Sequence, residues 1–394
     1  MTWWNTIRLK SKSADVRRRA IEELADATGA DTLDLLQAAL EDEEGKVRCV
    51  AARALGERCE ERSVSQLILA LRDSNSDVRE AAATALGRIR DSQAITPLIG
   101  MLQELSNSTR ACAAAALRAL GWRPGTPEEQ ALFEMASGNV RGAARAGEAG
   151  VQPLVNELKH DTAFQRRAAA EALEEVDDPR TVKPLLSALD DGDATVRVSA
   201  IHALARVTSE PVRNALLQKL REGVPQVRLA VAQVIAKWED PALAEVFLGL
   251  LVDANFEVRA TAIQYFERLR DPRAAGVIVS LLGDPDSDVR QASAKALGVL
   301  GSAAVIPGLV LALVDEERLV RQTAEESLKQ IDPHWALTEG AMSALPQLEG
   351  ALQHRTPWVR QAAAQALAAI QVAFVATLDN NPDPVEDETK LLVP

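Results

Sequence analysis

An arginine recurs along this chain every 31 residues and carries the same neighbours with it, in the pattern x-V-R-x-x-A-x-x-A-L. It appears as DVRRRAIEEL from Asp15, KVRCVAARAL from Lys46, DVREAAATAL from Asp77, TVRVSAIHAL from Thr195, DVRQASAKAL from Asp288 and WVRQAAAQAL from Trp358. The arginines are Arg17, Arg48, Arg79, Arg110, Arg141, Arg166, Arg197, Arg228, Arg259, Arg290, Arg321 and Arg360, so nine of the eleven steps are 31 residues and the other two are 25 and 39. A unit this short cannot enclose a core of its own. It folds by stacking on its neighbours.

The second half of each unit reads as a helix. At 100° per residue from the arginine, the preceding Val, the Ala at +3, the Leu at +7 and the aliphatic residue at +10 fall on one stripe, between about 260° and 340°. Four residues before the arginine stands a residue able to cap a helix in nine units: Ser13, Asn75, Ser106, Ser137, Thr162, Asp193, Asn255, Asp286 and Thr356. The first half reads as a shorter helix with the pattern A-I-x-P-L-I-x-x-L, seen at Ala94 to Leu102, Val182 to Leu189 and Val305 to Leu313. Asp-Pro pairs at 178–179, 240–241 and 271–272 mark the turns leading into it. Pro97, Pro153, Pro184, Pro307 and Pro346 lie about one turn in, where they bend the helix or loosen its start. The expected fold is all-α: an α-solenoid of about twelve helix pairs, armadillo-like in build.

These motifs resemble the bacterial HEAT-like repeats of the phycobilisome-lyase type, across roughly residues 13–376. The resemblance implies a stack in which the second helices line a concave surface. For function it implies an adaptor or scaffold, or else a lyase-like or chaperone-like subunit acting on a bilin-carrying protein.

Two irregularities divide the array. Between Leu120 and Gly150 the Arg141 unit has Glu148 where the Leu at +7 belongs and carries four glycines, which predicts a contracted pair of short helices. The 39-residue step predicts a longer connection near Asp332 to Gly340. The expected organisation is therefore a cap segment at 1–12, a repeat block at 13–119, an irregular G-W-x-P linker at 120–150, a second block at 151–376 and an acidic tail at 377–394.

Composition narrows the function. Apolar residues reach 47% but aromatics only 3%, which fits close helix packing through alanine and leucine. The net charge of −13 argues against nucleic acid and against docking on an anionic membrane. The longest apolar run, Ala303 to Val314, holds only twelve residues, too few to span a bilayer, and the first residues lack a signal-peptide pattern. A soluble cytoplasmic protein is expected. Cys49, Cys59 and Cys112 have no metal-ligand spacing. No phosphate-binding, dinucleotide, nucleophile-elbow or zinc-protease motif occurs. None of His160, His202, His334 and His354 precedes a Glu, unlike the HEAT-repeat iron hydroxylases. No cofactor, no metal and no catalytic residue is expected, and a DNA-lesion enzyme is disfavoured by the charge and the scarcity of aromatics.

The repeat arginine lies on the shoulder of the apolar stripe, and the expectation is an ion-pair ladder with neighbouring acids such as Asp15, Asp77 and Asp288. Trp238 at +10 and Phe266 at +7 are expected in the core, Trp122 and Trp335 in the gaps of the irregular segments, and Trp3 and Trp4 over the open end of the first unit. Opposite the stripe lie positions +1, +5 and +9. In three successive units these are Val198, Leu229 and Ala260, then His202, Gln233 and Gln264, then Arg206, Lys237 and Arg268; Lys295 continues the +5 row. An apolar, a polar and a basic row thus run side by side, whereas Asp26, Glu57 and Glu175 hold +9 elsewhere. These ten residues are the candidate partner site, fit for a protein or peptide with an acidic segment. The function expected is a non-enzymatic interaction scaffold.

Overall fold

The alanine–leucine stripe folds as its period requires. A computed structural model describes residues 2–27 and 29–379; residues 380–394 of the acidic tail and the side chain of Trp3 lie outside the described residues. Helices follow one another in pairs, with no strand among the described residues. The longer second helices include Ala14–Ala25, Gly45–Glu57, Ser76–Ile89 and Asn107–Ala119, then Phe256–Leu269, Ser287–Leu300 and Arg318–Ile331. The described residues fall into two compact units that meet in the sequence between Arg206 and Val207, and each is an α-solenoid of such pairs. The irregular segment at 120–150 lies inside the first unit.

The stripe is the core. Val78, Ala82 and Leu86 are fully buried, as are Val289 and Leu297, and Phe266 replaces the leucine in its unit with the same burial. Trp122 meets Phe133 edge-on at 5.6 Å in the irregular segment, and Trp335 is buried. Trp238 departs from expectation: it is half-buried, with the Arg213 guanidinium 5.9 Å from its ring centre, because the helix Pro225–Ala236 ends two residues before it and leaves it in the following turn. Trp4 is 61% exposed on the short helix Thr2–Arg8, so it covers little of the open end.

Capping follows the sequence in part: Ser13 and Thr162 precede their helices but accept no side-chain hydrogen bond from them. Asn75, Ser106, Asp193, Asn255 and Asp286 each accept a hydrogen bond from a backbone N–H of the helix they start. Ser137 does not cap; Asn139 takes that role for the one-turn helix Val140–Ala144, since Ser137 is consumed in ending Pro127–Ala136. Asp178, Asp240 and Asp271 cap the 3-10 turns that lead into the first helices. Pro97 and Pro184 stand third in their helices, and Pro307 and Pro346 second, where a missing N–H costs nothing.

The contracted segment is three short helices, Pro127–Ala136, Val140–Ala144 and Glu148–Glu157. Gly147 sits at φ 62°, and a Cβ on Gly150 would lie 2.0 Å from the Ala143 carbonyl oxygen. The 39-residue step holds the 3-10 turn Trp335–Leu337 and the helix Glu339–Ser343.

Second helices of adjacent pairs approach closely at +8 of one and +6 of the next. A Cβ on Gly56 would fall 2.6 Å from Ala85 Cα, and one on Gly87 would fall 2.8 Å from Ala116 Cα. Because the obstructing atoms are backbone, Gly56→Val is expected to destabilise by about 1–3 kcal/mol through overpacking. A urea midpoint lowered at unchanged m value is the expected readout; an unmoved midpoint would show that the helices can part at no cost.

Candidate partner-binding surface

The face opposite the stripe stays open to solvent. In the first unit, the helix Ala194–Ala203 carries Val198 and His202, both half-buried, with Arg206 exposed just beyond its end. In the second unit, Leu229 and Ala260 are half-buried, while Gln233, Lys237, Gln264, Arg268 and Lys295 are exposed. The structure brings three of the ten together. Gln264, Arg268 and Lys295, joined by Glu267, Asp288 and Gln291, line a groove of about 310 Å³ between the helices Phe256–Leu269 and Ser287–Leu300. Its charge is balanced, two cations against two acids, and Lys295 Nζ lies 2.8 Å from Glu267 Oε1. Among the described residues, no three His, Cys, Asp or Glu side chains come together as a metal site would need.

The repeat arginines face a different set of partners from those the sequence suggested. An acid two residues before the arginine stands about 200° round the helix and cannot reach it. The partner is the acid 25 residues downstream, in the turn before the next second helix. Arg17, Arg48, Arg166, Arg228, Arg259 and Arg290 each place Nε and Nη2 on the two carboxylate oxygens of Asp42, Asp73, Asp191, Asp253, Asp284 and Asp315, at 2.6–3.0 Å. Nη1 turns the other way. In Arg48 it donates to the carbonyl oxygens of Asp42 and Glu43, at 2.7 and 3.1 Å, which closes the turn of its own unit. Asp73 is therefore shared: its carboxylate takes Arg48, its carbonyl takes Arg79, and its Oδ1 also accepts the N–H of Asn75. Where Glu replaces Asp the fork is lost, and Arg79 reaches Glu104 by a single contact of 3.3 Å. Across the contracted segment Arg110 passes over to Glu157, 47 residues on, at 3.2 Å.

Profiles of the HEAT repeats match residues 5–72, 33–118, 64–147, 151–236, 213–276 and 244–329, and a HEAT-repeat profile matches residues 344–372. The chain belongs to the HEAT-repeat family. Solved structures similar to these HEAT repeats include an engineered protein, 20% identical, with 94% of this chain and 98% of that one covered and a TM-score of 0.30. Another comes from work on the interaction between cadherin and β-catenin, at 14% identity, 93% and 100% coverage and a TM-score of 0.43. A third is the complex of CpcE and CpcF of phycocyanin lyase from Nostoc sp. PCC7120, at 20% identity, 68% and 94% coverage and a TM-score of 0.29. No curated protein sequence matches at a significant level. No helix among the described residues is long and apolar enough to cross a membrane.

In these HEAT repeats the ladder makes stability depend on acid. Hydrogen bonds from Arg48 and Arg166 hold the carboxyls of Asp73 and Asp191 below the usual carboxylate range, with burial opposing and the N–H groups of Asn75 and Asp193 assisting. For Asp42 and Asp253 burial is the largest single influence and pushes upward, but the hydrogen bonds from Arg17 and Arg228 and the neighbouring backbone N–H groups together outweigh it. The folded pKa lies below the unfolded one, so the folded chain binds fewer protons in between. This stabilisation is complete above the unfolded value, about 3.9, and is lost as pH falls through the folded one. A urea midpoint level between about pH 5 and 8 and falling below about pH 4 is the expected profile. A midpoint that rose on acidification would contradict the sign.

The ladder acids escaped the sequence reading although their signal was present. Asp42, Asp73, Asp191, Asp253, Asp284 and Asp315 stand six residues before six of the twelve arginines.

Proposed function

We propose that this HEAT-repeat chain is a non-enzymatic scaffold that holds a partner protein or peptide on the solvent-facing side of its second helices. The observation that carries this reading is the groove between Phe256–Leu269 and Ser287–Leu300, where Gln264, Arg268, Gln291 and Lys295 present amide and cationic groups from two adjacent repeats. A groove built from side chains of neighbouring units repeats with the units, which suits an extended segment better than a small substrate. Half-buried Leu229 and Ala260 supply apolar contact beside it. The acidic preference of the partner rests on Lys237 and Arg268, which stand exposed at +9.

The test is affinity purification with mass spectrometry on the wild type and on the double variant Lys237→Glu, Arg268→Glu. With each exposed ion pair worth roughly 0.2–1 kcal/mol, two reversals, which also add repulsion, are expected to cut recovery of a genuine partner by about tenfold. A partner recovered equally with both proteins removes the basic row from the site.

A further inference from the structure

The ladder is interrupted inside the second unit at a helix that is otherwise regular. In Arg321, Nη1 donates to the carbonyl oxygens of Asp315 and Glu316 at 2.7 and 2.9 Å, the anchoring that Arg290 makes to Asp284 and Pro285 at 3.0 and 3.3 Å. The other edge of the fork differs. Arg290 sets Nε and Nη2 on both oxygens of Asp315, whereas Nε and Nη2 of Arg321 meet no hydrogen-bond acceptor, and no carboxylate within ion-pair distance, among the described residues. The cause is written in the chain. Position 25 downstream is Pro346, and His354 stands six residues before Arg360, where six of the other repeats place an Asp.

The inserted turn Trp335–Leu337 packs on both Arg318–Ile331 and Pro357–Asp379 and leaves a groove of about 440 Å³. Arg318, Arg321, Gln322, Gln365 and Trp335 line it, over a floor of small residues such as Ala362 and Ala366. One acid faces it, Glu325, and Lys329 holds that carboxylate at 2.6 Å. The Trp358 ring lies 5.0 Å from the Arg321 guanidinium carbon and supports its plane.

We infer that this groove binds an acidic segment of a partner protein, with one Asp or Glu carboxylate taking Nε and Nη2 of Arg321 as Asp315 takes those of Arg290. The precedent is internal. Six arginines with the same helical position and the same Nη1 anchor hold an Asp in that two-point geometry, the strongest and most directional pairing open to a guanidinium. Here the chain has withdrawn its own acid and opened space in front of the fork. Arg318 adds a second positive charge, Gln322 and Gln365 offer amides to an extended backbone, and the alanines leave room for it. The site is separate from the Arg268–Lys295 groove and stands without it.

The probe is a fluorescein-labelled peptide of nine residues alternating Asp and Ala, titrated against the full chain by fluorescence anisotropy, beside the same peptide with Asn for Asp. The Asp peptide is expected to bind, the Asn peptide at least about tenfold more weakly. Arg321→Gln is expected to lose about tenfold for the Asp peptide, and Arg321→Lys to fall between, because an ammonium keeps the charge but not the fork. The variant Lys237→Glu, Arg268→Glu should bind as wild type, which separates this site from the basic row. Arg321→Gln, which gives up only the Nη1 anchor, should melt less far below the wild type than Arg290→Gln, which also strands Asp315. Equal binding of the two peptides, or full binding by Arg321→Gln, overturns the proposal. Binding that appears only when Asp383, Glu386, Asp387 and Glu388 are changed to their amides assigns the groove to the chain's own acidic end and overturns the partner assignment.

Discussion

Truncating Leu86 or Leu297 to alanine is expected to cost about 2–5 kcal/mol. Both side chains are fully buried at +7 of a regular repeat, where the stripe of one second helix meets its own first helix and the next pair. The loss has two parts: the transfer of the deleted carbons, and the cavity left because rigid helices above and below close in only partly. The backbone contacts at Gly56, Gly87 and Gly298 make collapse harder still, since the second helices already touch there. The two substitutions also report on different parts of the chain, one in each compact unit. In a repeat protein, stability is nearly a sum of local unit and interface contributions. Unfolding is therefore expected to show more than one transition, with Leu86→Ala lowering one and Leu297→Ala another. A melting curve unmoved by either change would refute the stripe assignment. A single transition lowered equally by both would show that the units unfold as one.

The second large effect is expected from the ladder. Asp73→Ala removes both acceptors facing the Arg48 fork, whose side chain is 15% exposed against 12% for Asp73, and also releases the N–H of Asn75. Removing one partner leaves the other charge in a site that water reaches poorly, at a cost of about 2–4 kcal/mol. The comparison that decides the cause is the double variant Arg48→Met, Asp73→Leu. It leaves no charge stranded and is expected to recover at least half of that loss, as replacement of both partners in a buried pair generally does. If the double variant is as unstable as the sum of the two single ones, the pair acts through its shape and not through its charge. Stability followed as pH falls adds a check, because the gap between wild type and Asp73→Ala should narrow below the usual carboxylate range as Asp73 in the wild type becomes protonated.

The helix pairs, their apolar stripe and the two irregular steps were all legible in the sequence, because each depends only on periodicity. Val78, Ala82 and Leu86 had to share a face, and Gly147 at φ 62° and Gly150 against the Ala143 carbonyl account for the break at 120–150. What escaped was set by contact between units. The preference of Arg48 for Asp73 over nearer acids is decided by how one pair stacks on the next, which no single helix reveals. Likewise, Lys295 stood among the candidate partner-site residues of the +5 row, and its contact with Glu267 at 2.8 Å, which balances its charge, crosses from one repeat to the next. The groove at Arg321 was beyond reach for the same reason, since it exists only where an inserted turn holds two helices apart.

The Asp that serves two arginines also meters the chain. A carboxylate 25 residues after one arginine and a carbonyl six residues before the next fix the unit at 31, and a residue added or lost between them breaks one bond or the other. Both departures from 31 start at an arginine with no acid 25 residues downstream, Arg141, where Arg166 itself stands there, and Arg321, where Pro346 does. Lengthening and shortening of such an array are thus confined to whole modules, or to seams already freed from the meter. Excision of residues 49–79 would place Arg48 25 residues ahead of Glu104 and rejoin the array in register, whereas removal of thirty residues from the same place would not.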